Sequence, residues 1–190
     1  MRRAPHVPRV DRTAESASAA SKPHGNPPGG SRQVEWLNHL ELLPGDPTVT
    51  TTQYQQHPSF GTNVEGLVIT SSPTGDVDSN NEDKFVSMAL VTPKQTKING
   101  VRLCYELSDP GASGSFIEDI RLAQFNNTDA SRGSVLLDDG TAQNASGPTC
   151  VTSTSALIDA GAGTIVLSLR VNFASTSDQI VVRALGLLVK

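Results

Sequence analysis

The chain has 190 residues and a formal net charge of −4, enough length for one domain with a full core and a tail but hardly for two domains. Apolar residues make up 36%, below the roughly 45–50% of an average globular protein, while Gly and Pro number 16 and 12 and are spread along the chain, as expected of many short strands joined by turns. No run approaches the ~18 consecutive apolar residues of a membrane-spanning helix, so no membrane partner is expected.

Residues 1–31 are rich in Arg, Pro, Ser, Ala and Gly and end in the run HGNPPGGS, which reads as a disordered arm. Met1-Arg2-Arg3 is not followed by the apolar core of a secretory signal, and localisation stays unassigned. Over residues 1–33, Arg2, Arg3, Arg9, Arg12, Lys22 and Arg32 face only Asp11 and Glu15, a balance of +4 that leaves −8 for residues 34–190. A positive arm on an acidic body suits an anionic partner or a neighbouring subunit.

Residues 32–63 read as a linker. Within RQVEWLNHLELL, the side chains of Val34, Trp36, Leu37, Leu40 and Leu43 fall on one face at helical spacing, and Pro44-Gly45 ends the run; this predicts a short amphipathic helix with Ser31 at its N-cap. Its apolar stripe has no evident partner within the chain and is the candidate protein-docking surface. Residues 44–63 are polar and rich in Thr and Gln, as in an extended loop.

The sandwich is expected over 64–190. Eight segments rich in Val, Ile and Leu recur there, near 64–70, 85–91, 96–107, 115–125, 133–137, 149–155, 163–173 and 179–189, separated by Gly, Pro, Asp and Asn clusters. In 163–173, Ile165, Leu167, Leu169, Val171 and Phe173 alternate with Ser168, Arg170 and Asn172. The period of two means one buried face and one wet face. With no convincing helix between them, these segments predict an all-β fold, a two-sheet antiparallel β-sandwich of about eight strands most consistent with a jelly roll. The immunoglobulin-like alternative lacks its usual tryptophan on a central strand, because Trp36 precedes the first predicted strand. The last segment is apolar on both faces, which predicts a strand covered on both sides or one that meets another subunit.

Catalysis finds little support. The four histidines, His6, His24, His39 and His57, all precede the predicted sandwich, so no base stands within evident reach of a nucleophile, and neither C-x-x-C nor H-x-x-x-H spacing offers a zinc site. No cofactor is expected. The loop Thr74–Lys84 places Asp76, Asp78, Asn80 and Glu82 at alternate positions, the oxygen pattern that opens a calcium loop. The pattern breaks where Asn81 replaces the turn glycine and Ser87 the bidentate glutamate, leaving a solvated acidic loop as the first reading and calcium as the second. Glu118 and Asp119 are neighbours on a strand and are expected on opposite faces, whereas Asp138-Asp139-Gly140 reads as a turn. Cys104 and Cys150 read first as separate thiols and second as a disulfide, because sequence alone does not make their strands neighbours.

The leading expectation is a non-enzymatic sandwich that acts through its surface, by self-assembly as a homo-oligomer or by binding a protein partner. A basic arm beside a jelly roll resembles the architecture of capsid-like shell subunits, which implies contacts with neighbours or nucleic acid; six basic residues diluted through 33 make a weak polyanion binder. A carbohydrate-binding module is the third reading. The chain's eight aromatic residues, several of them needed in the core, leave few rings for sugar platforms.

Overall fold

The structure is a computed structural model that describes residues 33–53, 66–92, 96–111, 113–126 and 129–190. The arm, His6, His24 and His57 lie outside the described residues. Eleven strands are present among the described residues: β1 (Gln33–Leu37), β2 (Leu43–Pro44), β3 (Val49–Thr52), β4 (Leu67–Ser71), β5 (Phe85–Leu90), β6 (Lys97–Leu107), β7 (Phe116–Asn126), β8 (Asp129–Asp139), β9 (Thr149–Asp159), β10 (Gly163–Asn172) and β11 (Ile180–Val189). Among the described residues, no helix is long and apolar enough to cross a membrane.

Two antiparallel sheets face each other. Sheet A has the order β3-β4-β11-β6-β9, with β1 also on β11, and sheet B the order β2-β5-β10-β7-β8. The second half of the chain pairs back on the first in reverse: β4 with β11, β5 with β10, β6 with β9 and β7 with β8. That nesting, rolled into two sheets of four, is the jelly roll. Its eight strands are the eight expected from the apolar pattern.

The alternation along each strand sorts the core. In β10, Ile165, Leu167, Leu169 and Val171 point inward and are buried, against Val86, Met88 and Leu90 of β5 and Ile120 and Leu122 of β7. Leu103, Tyr105, Leu185 and Leu187 enter the same core from sheet A. Each such side chain, fully removed from water, contributes about 2 kcal/mol. Strand β11 is interior to its sheet, and even its outward residues Val181 and Leu188 are only 3% and 6% exposed.

The segment expected to form a helix is a strand and a turn instead. β1 pairs with the end of β11, Trp36 opposite Gly186 and Leu37 opposite Leu185, and a 3-10 turn covers His39–Glu41. Helical and two-residue periods coincide over so short a run, and the open edge of β11 decides between them. The hypothetical Cβ of residue 186 lies 2.7 Å from Val34 Cγ1 and 3.1 Å from Trp36 Cε3. Only glycine lets β1 approach this closely. The polar stretch after the turn likewise supplies β2 and β3, which pair with β5 and β4, so strands that precede residue 64 also join the two sheets.

Cys104 and Cys150 face each other across β6 and β9 and form a disulfide. The bridge joins residues 46 apart and restricts the unfolded chain, an effect of about 4 kcal/mol in the chain-entropy picture. Replacing both cysteines by alanine is expected to lower the stability read from urea unfolding by up to that amount, with the far-ultraviolet circular dichroism of the native protein unchanged.

Candidate functional site

Inward residues of sheet B build the core, and its outward residues build the most chemically dense surface among the described residues. One row crosses the whole sheet by register: Leu43 on β2, Ser87 on β5, Ser168 on β10, Arg121 on β7 and Asp138 on β8. Cross-strand partners share a face, and four strand spacings make the row about 19 Å long. At its middle the Ser87 hydroxyl donates to Ser168 Oγ at 2.8 Å. At one end lies an apolar hollow of about 500 Å³, lined by Leu43, Ala89 and Val166 among others.

At the other end lies a smaller cleft of about 250 Å³, lined by Glu118, Asp119, Arg121, Asp138, Gly140 and Arg170. Arg170 Nη2 stands 2.5 Å from Asp76 Oδ2 and 2.6 Å from Asp83 Oδ1, with its Nε 3.3 Å from Glu118 Oε2. Arg121 Nη2 stands 3.0 Å from Asp119 Oδ2, and its Nε donates to Asp138 Oδ1 at 2.9 Å. The Arg121 guanidinium also lies over the Phe85 ring, 5.5 Å from its centre, a cation–π contact that holds it flat. Five carboxylates therefore surround two arginines.

A β-bulge makes this possible. Arg170 pairs with Asp119 and Val171 with Ile117, so Glu118 is the extra residue. Glu118 and Asp119, expected on opposite faces, thereby both line the cleft; re-aiming a side chain is what a bulge does. Asp138 and Asp139, expected in a turn, are the last residues of β8. Asp138 reaches Arg121, while Asp139 accepts from the Ser153 hydroxyl and from the Thr141 backbone N–H.

The electrostatics follow from burial and pairing. Asp119 is 5% exposed, and its carboxyl is pushed up to about 6, first by loss of hydration and then by Asp138, with Arg121 and Arg170 opposing. Asp138 is held below the usual carboxylate range by its hydrogen bond from Arg121. Burial also raises Glu118 against the pull of Arg170. Three buried atoms at the cleft, Asp119 Oδ1, Glu118 Oε2 and Arg170 Nε, make no hydrogen bond, although the last two stand 3.3 Å apart as an ion pair.

The loop 74–84, read second as a calcium site, makes its own contacts. Asp78 spends its carboxylate on the loop itself, accepting from the Asn80 and Glu82 backbone N–H groups and the Asn80 side chain, and Asp76 pairs with Arg170. The cation inside the loop is Lys84. It is wholly buried, and its Nζ donates to the carbonyls of Pro73, Thr74 and Gly75 at 2.6, 3.2 and 3.0 Å. Among the described residues no three His, Cys, Asp or Glu side chains are grouped to hold a metal ion.

The apolar stripe assigned to partner docking is divided. Leu37 and Leu40 pack against the protein's own core. Val34 and Trp36 lie on the outer face of sheet A over Gly186, with Trp36 56% exposed, and Leu43 lines the hollow on sheet B. Sequence reasoning passed over Arg121, Arg170 and Phe85 because nothing local marks them. The one signal available was Arg170 standing alone among small residues on the wet face of its strand.

No protein-family model and no curated protein matches the chain. Solved structures resemble it in outline: a GH26-CBM35 beta-(1,4)-mannanase from Podospora anserina, at 14% identity and TM-score 0.45 over 83% of this chain and 28% of that one; the CBM22-1–GH10 modules of endo-1,4-beta-D-xylanase 10B from Clostridium thermocellum, at 10% and 0.45 over 82% and 28%; and a carbohydrate-binding module, CBM36, in complex with calcium and xylotriose, at 9% and 0.39 over 83% and 98%. The chain spans 28% of the length of each of the first two.

The raised carboxyl of Asp119 has a consequence for stability. The folded protein holds a proton there that the unfolded chain gives up, over the window from 3.8 to about 6. The folded state binds more protons in that window, so stability falls as pH rises through it; the depressed Asp138 acts in the opposite sense, and below that window. Asp119→Asn is expected to flatten the decline, seen as denaturation midpoints that diverge from wild type between about pH 4 and about pH 6.5.

Proposed function

We propose that the protein is a non-catalytic carbohydrate-binding module whose ligand lies across the outer face of sheet B, from the hollow beside Leu43 to the cleft between Arg121 and Arg170. The observation that carries the reading is the continuous cross-strand row of outward side chains, Leu43, Ser87, Ser168, Arg121 and Asp138, that joins the hollow to the cleft. A polyhydroxylated ligand can exchange hydrogen bonds with the Ser87 and Ser168 hydroxyls, and its carbon faces can rest on Val166, Ala89 and Leu43. The cleft is rigid before binding, because every charged side chain named in it is already held by another, which lowers the ordering cost.

Catalysis is not part of the proposal. A glycosidase sets two carboxyl groups on either side of the bond, about 5–10 Å apart and free to exchange protons. Here Asp119 and Asp138 are tied to a single guanidinium on one wall. Binding is tested on a glycan array, followed by thermal shift with the glycans retained, since a ligand of the native state raises its melting temperature. Gly140→Phe, where an added Cβ meets nothing within 4 Å, is expected to fill the cleft and abolish the shift while melting like wild type without ligand. A full array with no retained glycan overturns the reading.

Self-association is the second reading, and one observation favours it. Among the described residues β9 is an outer strand of sheet A, and its run Thr149–Ile158 carries no charged residue and exposes Leu157 by 55%. Edge strands of that kind pair with a second copy unless blunted by charge. Light scattering behind a sizing column is expected to give a dimer that Thr154→Lys converts to a monomer; a wild-type monomer at the highest soluble concentration rejects it.

A further inference from the structure

The outer face of sheet A carries a row of its own. By register Trp36 on β1 stands opposite Gly186 on β11, Gly186 opposite Arg102 on β6, and Arg102 opposite Thr152 on β9. Three strand spacings make this row about 14 Å long. Trp36, the only tryptophan of the chain, rests one edge of its indole over Gly186, with Cε3 3.1 Å from where a Cβ would stand. Covering the glycine accounts for that edge, and 56% of the residue still faces water. The second observation is a charge. Among the described residues Arg121, Arg170 and Arg183 each pair with a carboxylate, whereas Arg102 pairs with none, and its exposed Nη1 donates to the Thr152 hydroxyl at 3.3 Å. Glu106, on the same face of β6, is tied to Arg183. An acidic body, −8 over residues 34–190, thus keeps one guanidinium open beside its one tryptophan.

We propose that this row is a second site, which takes an anionic oligosaccharide: one sugar ring lies on the Trp36 indole, and the carboxylate or sulfate of a neighbouring unit meets the Arg102 guanidinium beside the Thr152 hydroxyl. An indole gives a sugar ring an apolar platform, and the planar fork of a guanidinium matches two oxygens of one anionic group. The acidic body, with a single open cation on this face, repels a polyphosphate, which argues against nucleic acid. An extended peptide draws its affinity from backbone pairing at a sheet edge, and the backbone under this row is already paired on β11 and β6. The site lies on the sheet opposite the Leu43–Asp138 row, so either can fail without the other.

Trp36 emission reads this site directly, because the chain has no other tryptophan. The full chain is titrated at low salt, by emission and by calorimetry, with an oligogalacturonate, a sulfated galactan oligomer and a neutral galactan oligomer of the same length. The expected result is a saturable change with the carboxylated or the sulfated sugar, which tells the two anions apart, at least tenfold tighter than with the neutral one and weakened by added salt. Arg102→Gln, which removes the charge but keeps a donor for Thr152, is expected to abolish that preference, and Arg102→Lys to recover part of it. Gly140→Phe on sheet B is expected to leave it intact, with all three variants melting like wild type. Equal binding of the neutral oligomer, or a preference that survives Arg102→Gln, overturns the proposal. Binding of poly-glutamate with no sugar bound overturns it in favour of an acidic peptide, and emission that shifts with protein concentration alone overturns it in favour of a second copy. Silence toward every probe in both measurements overturns it outright.

Discussion

A strand that is apolar on both faces must be covered on both, and β11 is that strand. Its inward residues Ile180, Val182, Leu185 and Leu187 belong to the core, and Val181 and Leu188 on the other face are buried as well. Putting β11 inside sheet A requires partners on either side: β6 along its whole length, and β4 and β1 in succession on the other. Because β11 ends the chain and β4 lies near the start of the sandwich, their pairing closes the outermost ring of the nested hairpin. The pairings of β5 with β10, β6 with β9 and β7 with β8 follow inside it. β1 belongs to the same requirement, and Gly186 admits it.

The nesting also makes the outer face of sheet B. β10 stands between β5 and β7, so its wet face brings Arg170 and Ser168 between Phe85 and Ser87 on one side and Asp119 and Arg121 on the other. One guanidinium from each of two adjacent strands then organises carboxylates from β7, β8 and the loop before β5. Arg121 and Arg170 pre-shape the cleft, while the carboxylates outnumber them and leave oxygens unsatisfied. A site built for stability alone would match charges and satisfy each acceptor, since an unpaired buried carboxylate oxygen is destabilising.

Lys84 shows the same logic resolved internally. The loop after β4 turns three carbonyls toward one point, and near them lie Asp46, Asp76 and Asp78, whose charges favour the ammonium as burial disfavours it. An acidic loop folded this tightly needs a cation, and the chain supplies its own. Asp76 and Asp78 of the alternating acidic pattern thus lie near the Lys84 ammonium.

Periodicity in the sequence was sufficient for the eight strands of the jelly roll, for the wet and buried faces of β10 and for the covered state of β11, because a two-residue alternation reports directly on which side of a sheet each side chain takes. It was not sufficient for β1, where Val34, Trp36, Leu37 and Leu40 fit a helix face as well as a strand and a turn, and only the free edge of β11 distinguishes them. The Cys104–Cys150 bridge and the cleft were beyond it altogether. Both depend on which strands are neighbours and on their register, and the cleft depends further on a single extra residue at Glu118 that turns two adjacent carboxyls to one face. Local pattern reads a side chain's face; only the folded sheet decides what stands beside it, because the partners lie 46 residues apart in the disulfide and 94 in the Arg170–Asp76 pair.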